Sequence, residues 1–296
     1  MARPTLAAES VGQVLVAGRH GRHRLEFTEY GSGEAWVVLL PALLGSRADH
    51  DRLARVLAGA GLHVLALDPL GHGRSDRPAD PLAHSVTVAA EHVVALLDDV
   101  GAPRAVLLGT SWGANVALET ATIAPERVAG LVLDAPVLDN ALAAQLAVLA
   151  PVLYAARFAP LALGAAGAAT RLGSAVTPAP LRPRPLGRVA AALRAGSGPV
   201  AALVHGTLFG RLAPSAVERA ALRVPTLVVA RRRDPLHPAS DAALVAGEID
   251  GAVLEVARER REWARRPERL DLATTAFALE CLRAERTRRP RRSRSS

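Results

Sequence analysis

The residues of this chain best suited to chemistry are a serine between two glycines, in the run Gly109-Thr110-Ser111-Trp112-Gly113. The apolar segment VLL precedes the run, and ANVALETA, with the spacing of a helix, follows it. A serine on a tight strand-to-helix turn exposes its hydroxyl, and the helix N-terminus offers free N–H groups to a developing oxyanion. The alternative is an ordinary turn that carries a serine by chance. The context favours Ser111 as a nucleophile.

The elements that must position this serine are short apolar runs that alternate with helical patterns. Six runs predict buried strands: Ala35–Pro41, Leu62–Asp68, Arg104–Gly109, Val128–Asp134, Pro225–Ala230 and Ala252–Val256. Three segments between them have helical spacing: Asp51–Gly61, Val86–Gly101 and Trp112–Ile123. Gly12–Ala17 and His23–Tyr30 predict an antiparallel hairpin that opens the sheet. The predicted fold class is α/β, with a mostly parallel, doubly wound sheet.

The alternation stops at Ala135 and resumes near Val224. The segment between is rich in Ala and Leu and is interrupted by prolines, which predicts several short helices inserted into the core. No uninterrupted apolar stretch reaches the roughly 18–20 residues of a membrane span, so we expect none. The expected organisation is an α/β core at 1–136 and 221–282, a helical insertion at 137–220, and a disordered Arg-rich tail at 283–296.

Composition restricts the possible classes of protein. Half of the 296 residues are apolar, which excludes disorder for most of the chain, and the single cysteine excludes an internal disulfide scaffold. The net charge of +8 is concentrated in residues 257–296, where 13 Arg face 6 acidic residues, so the rest carries only +1. We therefore expect no specific nucleic-acid partner. The lone cysteine and the absence of a signal-like run in Met1–Ser10 favour a cytoplasmic location.

Several motifs together resemble the α/β-hydrolase fold superfamily over residues of about 12 to 280. Besides the serine turn they are VVLLPALLGS at 37–46, DPLGHGRSD at 68–76, PERVAGLVLD at 125–134 and VPTLVVARRRDPLHP at 224–238. The second of these is close to the family pattern D-x-x-G-x-G-x-S, and the first lies where the family has its oxyanion loop. The insertion lies where such enzymes carry a helical cap over the active site.

The resemblance implies a role for five residues. Ser111 is the expected nucleophile, and the backbone N–H groups of Leu43 and Trp112 are the expected oxyanion donors. Asp234 matches the position of the triad acid, and Asp134 is the backup acid. Neither a metal nor a cofactor is expected, and the partner is a small-molecule substrate.

The base is missing from its usual place. The family order is serine, acid, then a histidine after the last strand, but no histidine follows His237. The expected position coincides with Arg260, and a guanidinium has no lone pair with which to take a proton from serine. His237, three residues after Asp234, is therefore the candidate base, unless it only shapes the rim of the pocket. His84 and His205 could also approach from the cap side.

Two functions follow from these residues. The first is a serine hydrolase that cleaves an ester, lactone or related acyl bond of a small, apolar substrate. The second is a catalytically impaired homologue that binds a ligand, with Arg260 paired to Asp234. Ser111 argues against haloalkane dehalogenase or epoxide hydrolase chemistry, because those relatives carry Asp at this turn. His72 and Gly73 are expected to shape the turn after the fourth strand, without a catalytic role.

Overall fold

The protein is built on one mixed sheet of eight strands. The computed structural model describes residues 9–162, 165, 168–169 and 196–288, and of residues 284–288 it describes the backbone alone. The strands are β1 Glu9–Gly18, β2 Gly21–Tyr30, β3 Trp36–Leu40, β4 His63–Asp68, β5 Ala105–Thr110, β6 Val128–Asp134, β7 Thr226–Arg231 and β8 Val253–Ala257. Their order is β1-β2-β4-β3-β5-β6-β7-β8. The pairs β1–β2 and β2–β4 are antiparallel, and the other neighbours are parallel. The predicted fold class and opening hairpin are confirmed.

Helices cover both faces of the sheet. They are α1 Asp51–Gly59, α2 Val86–Asp99, α3 Trp112–Ile123, α4 Leu142–Phe158, α5 Ser197–Phe209, α6 Ala216–Ala221, α7 Ala239–Glu248, α8 Glu262–Arg265 and α9 Glu268–Arg288. Apolar residues of α2, α3 and α7 form one core cluster, and residues of α1 and α9 contribute to the other. In β5, Leu107 belongs to the first cluster and its neighbours Val106 and Leu108 to the second, as the two-residue period of a strand requires. Burial on both faces explains why this strand is apolar throughout.

The parallel strands bring their carboxyl ends to one edge of the sheet. Leu40 of β3 is paired with Gly109 of β5, and Thr110 with Asp134 at the end of β6. β7 ends at Arg231 beside them. The segments that carry the candidate residues therefore leave the sheet side by side, at the edge where open α/β sheets bind ligands.

The helical insertion begins with α4, which packs against α5. Leu149 and Ala156 of α4 form a buried apolar cluster with Val200 and Val204 of α5. Among the described residues, one helix, Asp139–Phe158, is long and apolar enough to cross a membrane by length and composition alone. The same helix makes the contact with α5. The predicted cap spans 137–220, and within it most of the residues from 163 to 195 lie outside the described part of the chain. The boundaries of the cap therefore stay a prediction.

The predicted start of the disordered tail at 283 is wrong, because α9 continues to Arg288. The sequence from Glu268 to Arg288 holds neither glycine nor proline and is rich in good helix formers, so the helix propagates although its end has no apolar face. Pro290 follows two residues later, and the residue before a proline disfavours helical backbone. Residues 289–296 lie outside the described part of the chain.

Buried histidines make the folded state sensitive to acid. Burial lowers the pKa of His72 and His92 from 6.5 to about 4, and it also lowers the pKa of His84. Between pH 6.5 and 4 the unfolded chain therefore binds more protons, and stability falls as the pH falls. By pH 5 the loss is about 2 kcal/mol for each of His72 and His92.

We expect urea unfolding to show this loss between pH 7.5 and pH 5. The variant His92→Leu should reduce the difference between the two pH values by about 2 kcal/mol. The variant His205→Leu, at an exposed position, is the matched control and should leave the difference unchanged. An identical pH dependence in wild type and His92→Leu would contradict the assignment.

Candidate active site

Ser111 lies on a strained turn between β5 and α3. Its backbone has φ 55° and ψ −118°, a conformation that costs a non-glycine residue of order 1 kcal/mol or more. The two flanking glycines permit the turn: a Cβ on Gly109 would lie 2.1 Å from the carbonyl oxygen of Gly113, and a Cβ on Gly113 would lie 2.3 Å from the carbonyl oxygen of Leu40. Strand, turn and helix can approach only because both side chains are absent. This is the geometry of a nucleophile elbow.

The structure brings Ser111, His237 and Asp234 together. Nε2 of His237 lies 2.8 Å from Oγ of Ser111, and Nδ1 of His237 lies 3.1 Å from Oδ2 of Asp234. The carboxylate accepts a hydrogen bond from the N–H at Nδ1. Nε2 therefore carries the lone pair, which faces the serine hydroxyl. The three side chains thus form the chain of hydrogen bonds of a Ser-His-Asp triad.

The loop after β7 supplies both the acid and the histidine. Oδ1 of Asp234 accepts a hydrogen bond from the backbone N–H of Leu236, 3.1 Å away, and so closes an Asx turn. Arg233 before it has φ 54°, which bends the chain further. The turn places residues 234 and 237 side by side, facing Ser111. His237, three residues after the acid, can therefore take the position that the family fills with a histidine from the loop after β8.

Asp234 is held as a carboxylate. Burial alone would raise its pKa, but the hydrogen bond from His237, the hydrogen bond from the N–H of Leu236 and the nearby charge of Arg231 together keep the pKa below its usual value. Nη1 of Arg231 lies 3.9 Å from Oδ2 of Asp234. An ionised acid orients the imidazole and stabilises it when it becomes charged.

The backup acid Asp134 lies nearby but is bound elsewhere. Its carboxylate accepts hydrogen bonds from Nε of Arg231 at 3.0 Å and from Oγ1 of Thr110 at 3.1 Å, and it also pairs with Nη2 of Arg231. Arg231 thus neutralises Asp134 and leaves Asp234 as the carboxylate available to His237.

Arg260 does not occupy the place of the base, and its expected pairing with Asp234 is not found. The side chain of Arg260 is exposed, and no ion pair joins it to Asp234 in the described parts of the chain. The segment after β8 is bound to α9 instead, because Glu262 accepts a hydrogen bond from Nε of Arg269 at 2.7 Å. Asp234 keeps its bond with His237, so the ion pair expected to inactivate it does not form.

The two predicted oxyanion donors lie in the helix that follows the serine and in the loop after the neighbouring strand. Trp112 is the first residue of α3, where a backbone N–H has no partner within the helix. Leu43 lies in the loop after β3. Gly113 of α3 lies close to Leu40, the last residue of β3, where this loop begins. In residues 9–162 and 196–288 neither N–H is bonded to a backbone acceptor. Their role as donors stays a prediction.

The other candidate histidines lie outside this arrangement. Nε2 of His84 donates to the carbonyl oxygen of Pro78 at 2.9 Å, and His205 is exposed and packs its ring against Phe209. Among the described residues, no group of three or more His, Cys, Asp or Glu side chains could hold a metal ion.

Sequence reasoning missed two polar residues that support the site, Arg231 and Asn115. Nδ2 of Asn115 donates to the carbonyl oxygens of Val137 and Leu212, at 2.7 and 2.9 Å, and so ties both ends of the insertion to α3. An asparagine between apolar residues at the start of the helix, four residues after the serine, was the available signal. For Arg231, the signal was a charged residue at the end of a buried strand.

Comparison with known proteins supports the same fold. Residues 35–258, about three quarters of the chain, match the family described as alpha/beta hydrolase fold. A hydrolase from Pseudomonas aeruginosa PA01 is 25% identical with a TM-score of 0.70, covering 90% of this chain and 97% of that chain. The enol-lactonase from Burkholderia xenovorans LB400 is 18% identical with a TM-score of 0.69, covering 90% and 100%, and this likeness shows the fold alone.

Relatives in sequence cover shorter stretches. Epoxide hydrolase A of Mycobacterium tuberculosis is 44% identical over 120 residues, 40% of this chain and 37% of that protein. Bifunctional epoxide hydrolase 2 of Sus scrofa is 36% identical over 105 residues, 36% of this chain and 19% of that protein. The chain thus spans only a minor part of the curated relatives it matches. From the fold, the serine elbow and the extent of the family match, the chain belongs to the alpha/beta hydrolase fold family.

Proposed function

We propose that this protein is a serine hydrolase that cleaves an ester, lactone or related acyl bond of a small, apolar substrate. The observation that carries the proposal is the unbroken chain from Asp234 through His237 to Ser111, with distances of 3.1 and 2.8 Å. A serine is a weak nucleophile until an adjacent base takes its proton, and His237 is placed to do so.

In the proposed reaction, Oγ of Ser111 attacks the carbonyl carbon while its proton passes to Nε2 of His237. The N–H groups of Leu43 and Trp112 stabilise the resulting oxyanion. Collapse of the tetrahedral intermediate breaks the bond to the leaving alcohol, which takes the proton from His237. Water then attacks the acyl-enzyme and gives a proton to His237. Collapse of this second tetrahedral intermediate breaks the bond between the acyl carbon and Oγ of Ser111, which takes the proton back from His237 as the acid leaves.

An apolar substrate is favoured by the surroundings of the oxyanion loop. Leu43 is packed against the apolar cluster that α4 and α5 form in the insertion. A group bound next to the oxyanion loop would therefore meet aliphatic side chains. Such surfaces bind apolar groups through the hydrophobic effect.

Epoxide hydrolysis is the second candidate, because the curated relatives include epoxide hydrolases. The nucleophile argues against it on chemical grounds. Attack of a serine oxygen on an epoxide carbon forms an ether, which has no carbonyl for water to attack, and the enzyme would stop after one event. A carboxylate nucleophile would form an ester that water can hydrolyse. The acyl reaction is therefore the one that Ser111 can turn over.

The test compares p-nitrophenyl butyrate, γ-butyrolactone and styrene oxide as substrates of the wild type and of Ser111→Ala. We expect hydrolysis of at least one acyl substrate, loss of it in Ser111→Ala, and no turnover of the epoxide. Epoxide turnover without acyl turnover would replace this proposal with the second candidate. If no substrate reacts and an acyl-serine probe leaves Ser111 unlabelled, the impaired, ligand-binding homologue is the correct description.

A further inference from the structure

The geometry points to His72 as a positioning residue that holds the two oxyanion-donor segments in place. The inference rests on the proposed function, and it assigns a task to a residue that the sequence presents only as part of a turn. His72 lies in the segment that follows β4, far from Ser111 along the chain. Its ring is almost completely buried.

The imidazole bridges two backbone groups. Nδ1 lies 3.0 Å from the carbonyl oxygen of Leu70, and the N–H of Leu44 donates to Nε2 over 3.2 Å. A carbonyl can only accept and an amide N–H can only donate, so Nδ1 carries the proton and Nε2 the lone pair. His72 therefore serves the loop as an acceptor, and it must be neutral to do so.

Leu44 needs such a partner. Its φ of 61° is in the left-handed region that a leucine rarely adopts, so its conformation must be imposed by its surroundings. The bond from its N–H to His72 fixes the peptide unit between Leu43 and Leu44. The expected donor, the N–H of Leu43, belongs to the preceding peptide unit, whose carbonyl oxygen, on Ala42, accepts from the N–H of Gly45 at 2.8 Å. The bond to His72 therefore acts on this donor through the turn at residues 42–45, not directly.

The same turn anchors the far end of the oxyanion loop. The carboxylate of Asp68 accepts a hydrogen bond from the backbone N–H of Arg47 at 2.7 Å, and another from the N–H of Arg74 at 3.0 Å. Gly73 leaves room for this carboxylate, since a Cβ there would overlap it. The loop is thus held at Leu44 and at Arg47 by one turn.

The second donor segment packs against a face of the ring. The rings of His72 and Trp112 are stacked, with centroids 5.0 Å apart and planes inclined by 22°. Trp112 bears the other expected donor N–H. One neutral imidazole therefore contacts both halves of the oxyanion hole, and burial keeps it neutral by lowering its pKa to about 4.

The experiment compares His72→Leu with His72→Gln, because the amide oxygen of Gln can accept from the N–H of Leu44 while Leu cannot. For ester hydrolysis we expect His72→Leu to lower kcat about 10- to 100-fold with KM within about threefold, less than the 10²–10³-fold loss of a whole donor. His72→Gln should recover most of this loss. His92→Leu replaces another buried, neutral histidine remote from the loop and should keep wild-type kcat.

Hydrogen exchange at the amide of Leu44 gives a second measurement that needs no catalysis. We expect it to be faster in folded His72→Leu and close to wild type in His72→Gln. Wild-type kcat and exchange in His72→Leu, or equal losses in the two His72 variants, would overturn the inference. If the wild type hydrolyses no acyl substrate, the proposed function fails while the exchange rates still decide whether His72 holds Leu44.

Discussion

Replacing Ser111 with alanine is expected to lower kcat for ester hydrolysis by about 10⁵–10⁶-fold, the scale on which loss of a triad serine acts. The reason is that the acyl bond forms on Oγ of Ser111, which lies 2.8 Å from Nε2 of His237, and alanine has no hydroxyl to form it. The measurement is steady-state hydrolysis of p-nitrophenyl butyrate by the wild type and the variant. Hydrolysis within tenfold of the wild type would show that Ser111 is not the nucleophile.

A companion variant, Ser111→Gly, separates loss of chemistry from loss of structure. Glycine adopts a φ of 55° without the strain that a side chain causes, so this variant should be more stable than the wild type by about 1 kcal/mol, and equally inactive. Thermal unfolding measures the difference. A lower Tm in Ser111→Gly than in the wild type would contradict the assignment of strain to the elbow.

The second large effect is expected at His237. In His237→Ala, kcat should fall by about 10⁴–10⁶-fold, because the serine then has no base and the leaving alcohol no acid. Asp234→Asn should lose about 10⁴-fold, since an amide can impose the wrong tautomer on the imidazole. Both losses are read from the same ester assay, on variants shown by circular dichroism to be folded.

Arg260→Ala is the matched control for His237→Ala. Arg260 lies at or near the position where the resemblance predicts the histidine, but its side chain is exposed and does not meet Asp234. We expect kcat within about twofold of the wild type, as for a surface substitution away from the site. A large loss in Arg260→Ala together with a small one in His237→Ala would reverse the two assignments.

The architecture was predictable because its signals are local. Strand β5 and helix α3 are marked by apolar runs and by the glycines around Ser111, and the structure places both within a residue or so of the prediction. The end of the chain was harder to predict. The helix α9 runs past Arg283 without an apolar face, and only helix propensity and Pro290 indicate where it can stop.

The candidate site was predictable in its members and less so in its contacts. Residue type and order predict Ser111, Asp234 and His237. The contact between their side chains depends on an Asx turn at Asp234, which the sequence alone does not indicate. The link from Arg231 to Asp134 joins residues 97 positions apart, and no spacing rule connects them. Long-range polar contacts of this kind depend on the register of neighbouring strands.

The most direct test of the central claim, that His237 activates Ser111, is the rate at which a fluorophosphonate labels the protein, followed by intact mass. We expect one label on Ser111 of the wild type, an equal rate in Arg260→Ala, and a rate lower by about 10³-fold or more in His237→Gln. Labelling of His237→Gln as fast as the wild type, or no labelling of the wild type, would contradict it.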